Sequence, residues 1–169
     1  MGSQVSRVRL MAQLSLLKKT DLLIRMFGFK QIPLIYYTGL SVVELSETRC
    51  VAKIPLTWRT KNHLGSMYFG ALAIGADVAG GLAAFIYLLN SKNNVSVVFK
   101  DVKGEFLKRP DGDVHFTSDQ VAQVNEMMLK TVESGEREEL TVEVLATVPS
   151  VSSDLVAKFE LTLSAKFRG

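Results

Sequence analysis

The stretch that decides the fold runs from Asn62 to Leu89, NHLGSMYFGALAIGADVAGGLAAFIYLL. Beyond Phe69 it holds one carboxylate, Asp77, in a run that is otherwise apolar or small. Taking an unpaired carboxylate out of water costs several kcal/mol or raises its pKa, so the chain must compensate that charge or use it. Ala71, Gly75, Ala79 and Ala83 recur at steps of four, and Ala76, Gly80 and Ala84 form a parallel row. Two ridges of small residues let another backbone come close. A glycine inside a helix costs up to about 1 kcal/mol against alanine, so packing or function must offset it. The spacing predicts a helix from about Ser66 to Leu89, prepared by Gly65 and Ser66 and wrapped by a sheet.

Phe69 to Leu89 is also long enough to span a bilayer. Asp77 in mid-span, the glycines at 70, 75, 80 and 81, and strand-like segments on both sides favour a helix buried by its own domain. No membrane span is expected.

Downstream, the chain reads as strands. VSVVFKDVKGEFLKRP, residues 95–110, is a long strand whose alternation slips near Asp101 to Gly104, which a bulge explains. A short strand follows at VHF. SDQVAQVNEMMLKTVESG then reads as a short amphipathic helix through Val121, Val124, Met127 and Met128, capped by Ser118 or Asp119. The methionines read as core fillers. Leu140, Val142, Val144, Ala146 and Val148 alternate with mostly polar residues, as do Leu155 through Phe167 after the PSVSSD turn. This is a long antiparallel hairpin with one buried face.

Upstream, GLSVVEL, the SET turn and the alternating Cys50, Ala52, Ile54 and Leu56 form another hairpin. Cys50 on its buried face reads as a small core residue. Val5, Val8, Leu10, Met11, Leu14 and Leu17 recur at helical steps, a more economical reading than a signal or transit peptide. Asp21 is placed to cap a second short helix that stops at Gly28. Pro33 then divides a helical lead-in, residues 1–33, from one domain over residues 34–169.

Composition agrees. With 169 residues, 47% hydrophobic, the chain can bury a full core. The net charge of +3, from 20 basic and 17 acidic residues, lacks the basic stripe of a nucleic-acid binder. One cysteine and two histidines make no metal-ligand pattern and point to a reducing, cytoplasmic setting.

The order of elements and the central stretch resemble the hotdog fold, and more narrowly the phenylacetyl-CoA-type acyl-CoA thioesterases. Those proteins carry Asn-x-x-Gly, then His-Gly-Gly at the helix start, then an aspartate two turns in. Asn62, Gly65 and Asp77 stand at matching spacing, Gly70 stands for the final glycine, and Val95-Ser96-Val97 is similar to the strand that supplies a site serine. The likeness covers Gly39 to Phe167. Tyr68-Phe69 occupies the positions of the family's His-Gly.

The resemblance implies an α+β fold of about six antiparallel strands curled round the helix, and a homodimer or dimer of dimers. Asp77 of one subunit then faces the helix start of the other, as general base or as nucleophile. Amides at Phe69 and Gly70 polarise the thioester carbonyl, Ser96 holds the water or the carboxylate, and Asn62 bonds the carbonyl or braces the loop. The substrate is an acyl thioester of coenzyme A or of an acyl carrier protein. No other cofactor is expected. Gly65 and Tyr68 border the ligand, and Lys100, Lys103, Lys108 and Arg109 either meet coenzyme A phosphates or form a solvated face. His63 reads as a surface or loop-bracing residue. The alternative is an acyl or acyl-CoA binding protein without chemistry; a dehydratase fits less well, for want of a histidine on the helix.

Overall fold

Phe69–Asn90 is one 22-residue helix (α3), and its small residues face a sheet. In the computed structural model, residues 18–169 are described. The periodic segment from Val5 to Leu17 lies outside them. A helix over residues 18–30 (α1) and a short one at Pro33–Thr38 (α2) precede strands β1 (Ser41–Leu45) and β2 (Cys50–Ile54). After α3 come β3 (Val95–Phe106), β4 (Val114–Ser118), helix α4 (Val121–Ser134), β5 (Arg137–Val148) and β6 (Ser152–Phe167). The strands form one antiparallel six-stranded sheet in the order β1-β2-β4-β5-β6-β3.

The alternation read along β5 and β6 sets the core. Val142, Val144 and Ala146 face inward with Ala157, Phe159, Leu161, Leu163 and Ala165, all at most 2% exposed. The small ridges of α3 then let the helix sink onto this surface. A side chain at Gly75 would overlap the ring of Phe116 on β4, and one at Gly80 would lie 3.0 Å from Val142 Cγ2. Burial of a ring the size of Phe116 contributes about 2–3 kcal/mol, more than the helix loses through the glycine beneath it. So α3, which is long and apolar enough to cross a membrane, is the core helix of the domain. Helix α4 lies beside it against β5 and β6, with Met127 and Met128 buried as core fillers.

Several local expectations are corrected. The central helix starts at Phe69, three residues after Ser66, because residues 62–67 form a turn held by the Asn62 side chain. Helix α1 does not stop at Gly28 but runs to residue 30. A Cβ at Gly28 would stand 3.0 Å from the Tyr36 backbone nitrogen, so this glycine admits α2 rather than ending α1. Pro33 is the first residue of α2, where its missing N–H costs nothing. Asp21 is not a cap; its Oδ1 accepts the Val42 N–H at 3.1 Å and ties α1 to β1. Neither Ser118 nor Asp119 caps α4. Asp119 pairs with Arg49, and Gln120 at the N-cap bonds Thr141 and Glu143 instead. The bulge in β3 falls between Phe99 and Asp101, just upstream of the expected slip.

Candidate functional site

Two cavities flank α3, one at its start and one along its second half. The first, about 510 Å³, is bounded by Asn62, His63, Tyr68, Phe69 and Arg109 with Phe106 and Leu107. Its loop is built from backbone hydrogen bonds. Gly65 adopts φ 87°, the left-handed region that glycine enters freely. The Asn62 Oδ1 accepts the Leu64 N–H at 2.9 Å and its Nδ2 donates to Ser66 Oγ at 3.1 Å. Asn62 therefore braces the loop, one of the two roles its position suggested. The Met67 N–H donates to the Pro110 carbonyl and Arg109 Nη2 donates to the Leu64 carbonyl at 2.8 Å, strapping this loop to the end of β3.

At the mouth of this cavity α3 begins without a side-chain cap. The Ala71 and Leu72 amides donate to the Tyr68 carbonyl, whereas those of Phe69 and Gly70 have no acceptor among the described residues. Free amides at a helix start carry the positive end of its dipole and suit a developing oxyanion. Aromatic rings surround them. Tyr68 meets Phe69 with centroids 4.7 Å apart, Phe69 meets Phe106 at 6.4 Å, and Phe106 meets the buried Phe159 at 5.9 Å. Phe69 itself is 58% exposed.

The second cavity, about 420 Å³, lies between α1, α2, α3 and β3. Asp77 is the one residue with a polar side chain among those that line it. Among the described residues its carboxylate has neither a hydrogen bond nor an ion pair, and burial alone pushes its pKa up. The anomaly seen in the sequence thus persists in the fold: a carboxylate in apolar surroundings with nothing among the described residues to neutralise it.

The two cavities divide the expected residues. Asn62, Tyr68, Phe69 and Arg109 come together at the helix start, with Gly65 in the turn beside them and Gly70 under the Tyr68 ring. Asp77 stands alone in the other cavity, eight residues or about 12 Å further along the helix axis. Ser96 enters neither. Its Oγ accepts from Arg168 Nε at 3.0 Å, while Val97, Val98 and Phe99 line the Asp77 cavity. Lys100 pairs with Glu139 at 2.9 Å, and Lys103 lies 3.7 Å from Glu160, which its strand register places opposite. Both belong to the face of β3 turned from the helix. Lys108, at the first cavity, pairs with Asp154 at 2.7 Å. His63, Phe106 and Leu107 were not foreseen as lining residues; only the strap between loop and strand end brings them there. Cys50 is fully buried and its thiol is pushed up to about 12 by burial, which fits a core residue.

A six-stranded antiparallel sheet in this order around a long central helix defines a hotdog-fold protein. Solved structures agree on the fold. A Pseudomonas aeruginosa protein described as of unknown function and a probable thioesterase is 22% identical, with 86% of this chain and 95% of that one covered at a TM-score of 0.70. A Chlorobaculum tepidum protein with unknown function is 12% identical, with 92% and 97% covered at a TM-score of 0.75. A thioesterase from Haemophilus influenzae is 17% identical, with 86% and 88% covered at 0.64. None of the curated proteins matches the chain. The chain belongs to the family described as a domain of unknown function, DUF4442, whose model matches residues 20–164.

Proposed function

We propose that the protein hydrolyses acyl thioesters of coenzyme A or of an acyl carrier protein, as a homodimer in which each site takes the start of the central helix from one copy and Asp77 from the other. The observation that carries this reading is Asp77, an unpaired carboxylate lining an apolar cavity on the helix whose first two amides are free. Attack of water on a thioester carbon puts negative charge on the carbonyl oxygen. The amides of Phe69 and Gly70 are suited to receive it, and an ionised Asp77 is suited to take the proton of the attacking water. Direct attack by Asp77, giving a mixed anhydride that water then opens, uses the same groups. In both routes the thiolate leaves and is protonated, and a carboxylic acid and a thiol result.

The separation of about 12 Å along one helix keeps Asp77 and these amides from acting on the same carbonyl within one copy. The long edge strand β3 supports pairing with a second copy, since among the described residues it bonds β6 on one side only, and it exposes Val98, Val102 and Phe106. Such an edge is a template for self-association. Lys108 and Arg109, at the helix-start cavity, suit the phosphates of coenzyme A better than Lys100 and Lys103. Relatives of this fold described as thioesterases add weight to the reading.

The test is steady-state hydrolysis of a panel of acyl-CoAs by wild type and by Asp77→Asn. Loss of a general base lowers kcat by roughly 10²–10⁴-fold. No turnover on any acyl-CoA, or an equally active variant, rejects the mechanism. One observation favours the alternative, an acyl-CoA binding protein: the Tyr68 ring folds over Gly70, so that a Cβ there would be 2.6 Å from Tyr68 Cε1, crowding the amides. Tight calorimetric binding without turnover selects it.

A further inference from the structure

The cavity at Asp77 is a half-open groove drawn out along the helix. The residues of α3 that line it run from Asp77 and Val78 through Gly81 and Leu82 to Phe85 and Leu88, so it extends about 16 Å along the helix at 1.5 Å per residue. Gly81 lets the Phe99 ring close on the helix and wall the groove, for a Cβ there would come 3.2 Å from Phe99 Cζ. Ile24 and Phe27 of α1, Ile32 just before α2 and Ile35 of α2 make the roof, and Phe27 rests on Phe85 with ring centroids 4.4 Å apart.

We infer that this groove between the N-terminal helices and α3 is the acyl-chain site, and that it takes an unsubstituted chain of roughly a dozen carbons running from Asp77 toward Leu88. The chain length follows from the groove: about 16 Å holds about 12 carbons at roughly 1.3 Å each for a zig-zag of 1.5 Å bonds. The selectivity follows from the lining. Beyond Asp77 it offers no hydroxyl, amide or charge to a substituent, so a hydroxyl on the chain gives up its water without a replacement. Gly81 and Phe27 set the specificity, one by letting Phe99 close on the helix without a side chain between them and the other by closing the roof. This inference rests on the hydrolase reading only in taking Asp77 as the thioester end.

The experiment measures kcat/KM of the full chain for butanoyl-, octanoyl-, dodecanoyl- and octadecanoyl-CoA and for a hydroxylated dodecanoyl-CoA, with calorimetric binding of free dodecanoate beside it. Dodecanoyl-CoA is expected to exceed butanoyl-CoA and the hydroxylated substrate by about tenfold or more. Gly81→Leu shifts the preference toward shorter chains and Phe27→Ala toward octadecanoyl-CoA. The opposite signs keep the test open if one variant does not fold. Hydrolysis that is flat with chain length, or best on butanoyl-CoA, overturns the acyl-site inference and leaves the hydrolase reading standing. Absence of all hydrolysis, with dodecanoate bound and its affinity lowered by Gly81→Leu, supports the acyl site and removes the hydrolase. Neither hydrolysis nor binding overturns both.

Discussion

The ring of Phe116 on β4 fills the space that a side chain at Gly75 would need. This contact sets how deeply α3 sinks into the sheet, and with it the position of Asp77 half a turn further on. Gly75→Ala improves helix propensity by up to about 1 kcal/mol and yet forces a fully buried ring to move, at a typical cost of about 1–3 kcal/mol. A net loss of stability in urea unfolding is expected; a more stable variant contradicts the packing described.

Asp77 ties stability to pH in a stated direction. Burial raises its pKa above the ordinary 3.8, so the folded state favours the protonated acid. Below pH 3.8 both states are protonated and the carboxyl costs nothing. As pH rises from there through the raised folded value, the unfolded chain ionises first and wild type loses stability. Asp77→Asn removes that penalty and is expected to be more stable at neutral pH, by on the order of 1 kcal/mol, while losing activity. Thermal unfolding of both proteins across the acid range shows whether the gap closes as pH falls.

Cys50 reports on the core. With a thiol that is fully buried and pushed up to about 12, almost no thiolate is exposed at neutral pH. Modification by a disulfide reagent should therefore follow unfolding, accelerating with denaturant. Rapid labelling of the native protein contradicts this.

The exposed edge of β3 predicts self-association through that strand. Val102, 60% exposed, is changed to Lys with little effect on the fold of one copy, since edge lysines are well tolerated there. Light scattering is expected to show wild type as a dimer or larger and Val102→Lys shifted toward monomer. A wild type that is monomeric at micromolar concentration removes the shared site with it.

Periodicity made much of the fold legible. The strict alternation at 140–148 and 155–167 carries into the observed β5–β6 hairpin, and the small-residue rows of α3 meet the sheet as their spacing required. Local punctuation was the weaker guide. Gly28 has the look of a helix stop, but it serves a crossing of two helices; Asp119 has the look of a cap, but Arg49, distant in sequence, takes its carboxylate. Signals of this kind compete with tertiary partners that a local window does not contain.

The same division runs through the candidate site. The sequence by itself determined that a lone carboxylate would lie two turns into a buried helix, because composition and spacing along one helix fix its faces and the distance between its residues. It determined equally that Asn62, Gly65 and Gly70 would gather at the helix start. Only the tertiary structure decided what surrounds each end. Ile24, Phe27, Ile32 and Ile35 come from the N-terminal helices and the turn between them, which pack back over α3 and wall a groove along Asp77, while Phe106 at the end of β3 and Leu107 and Arg109 just after it wall the free amides. Such contacts join segments far apart in the chain, and the packing of whole elements selects them rather than any local preference.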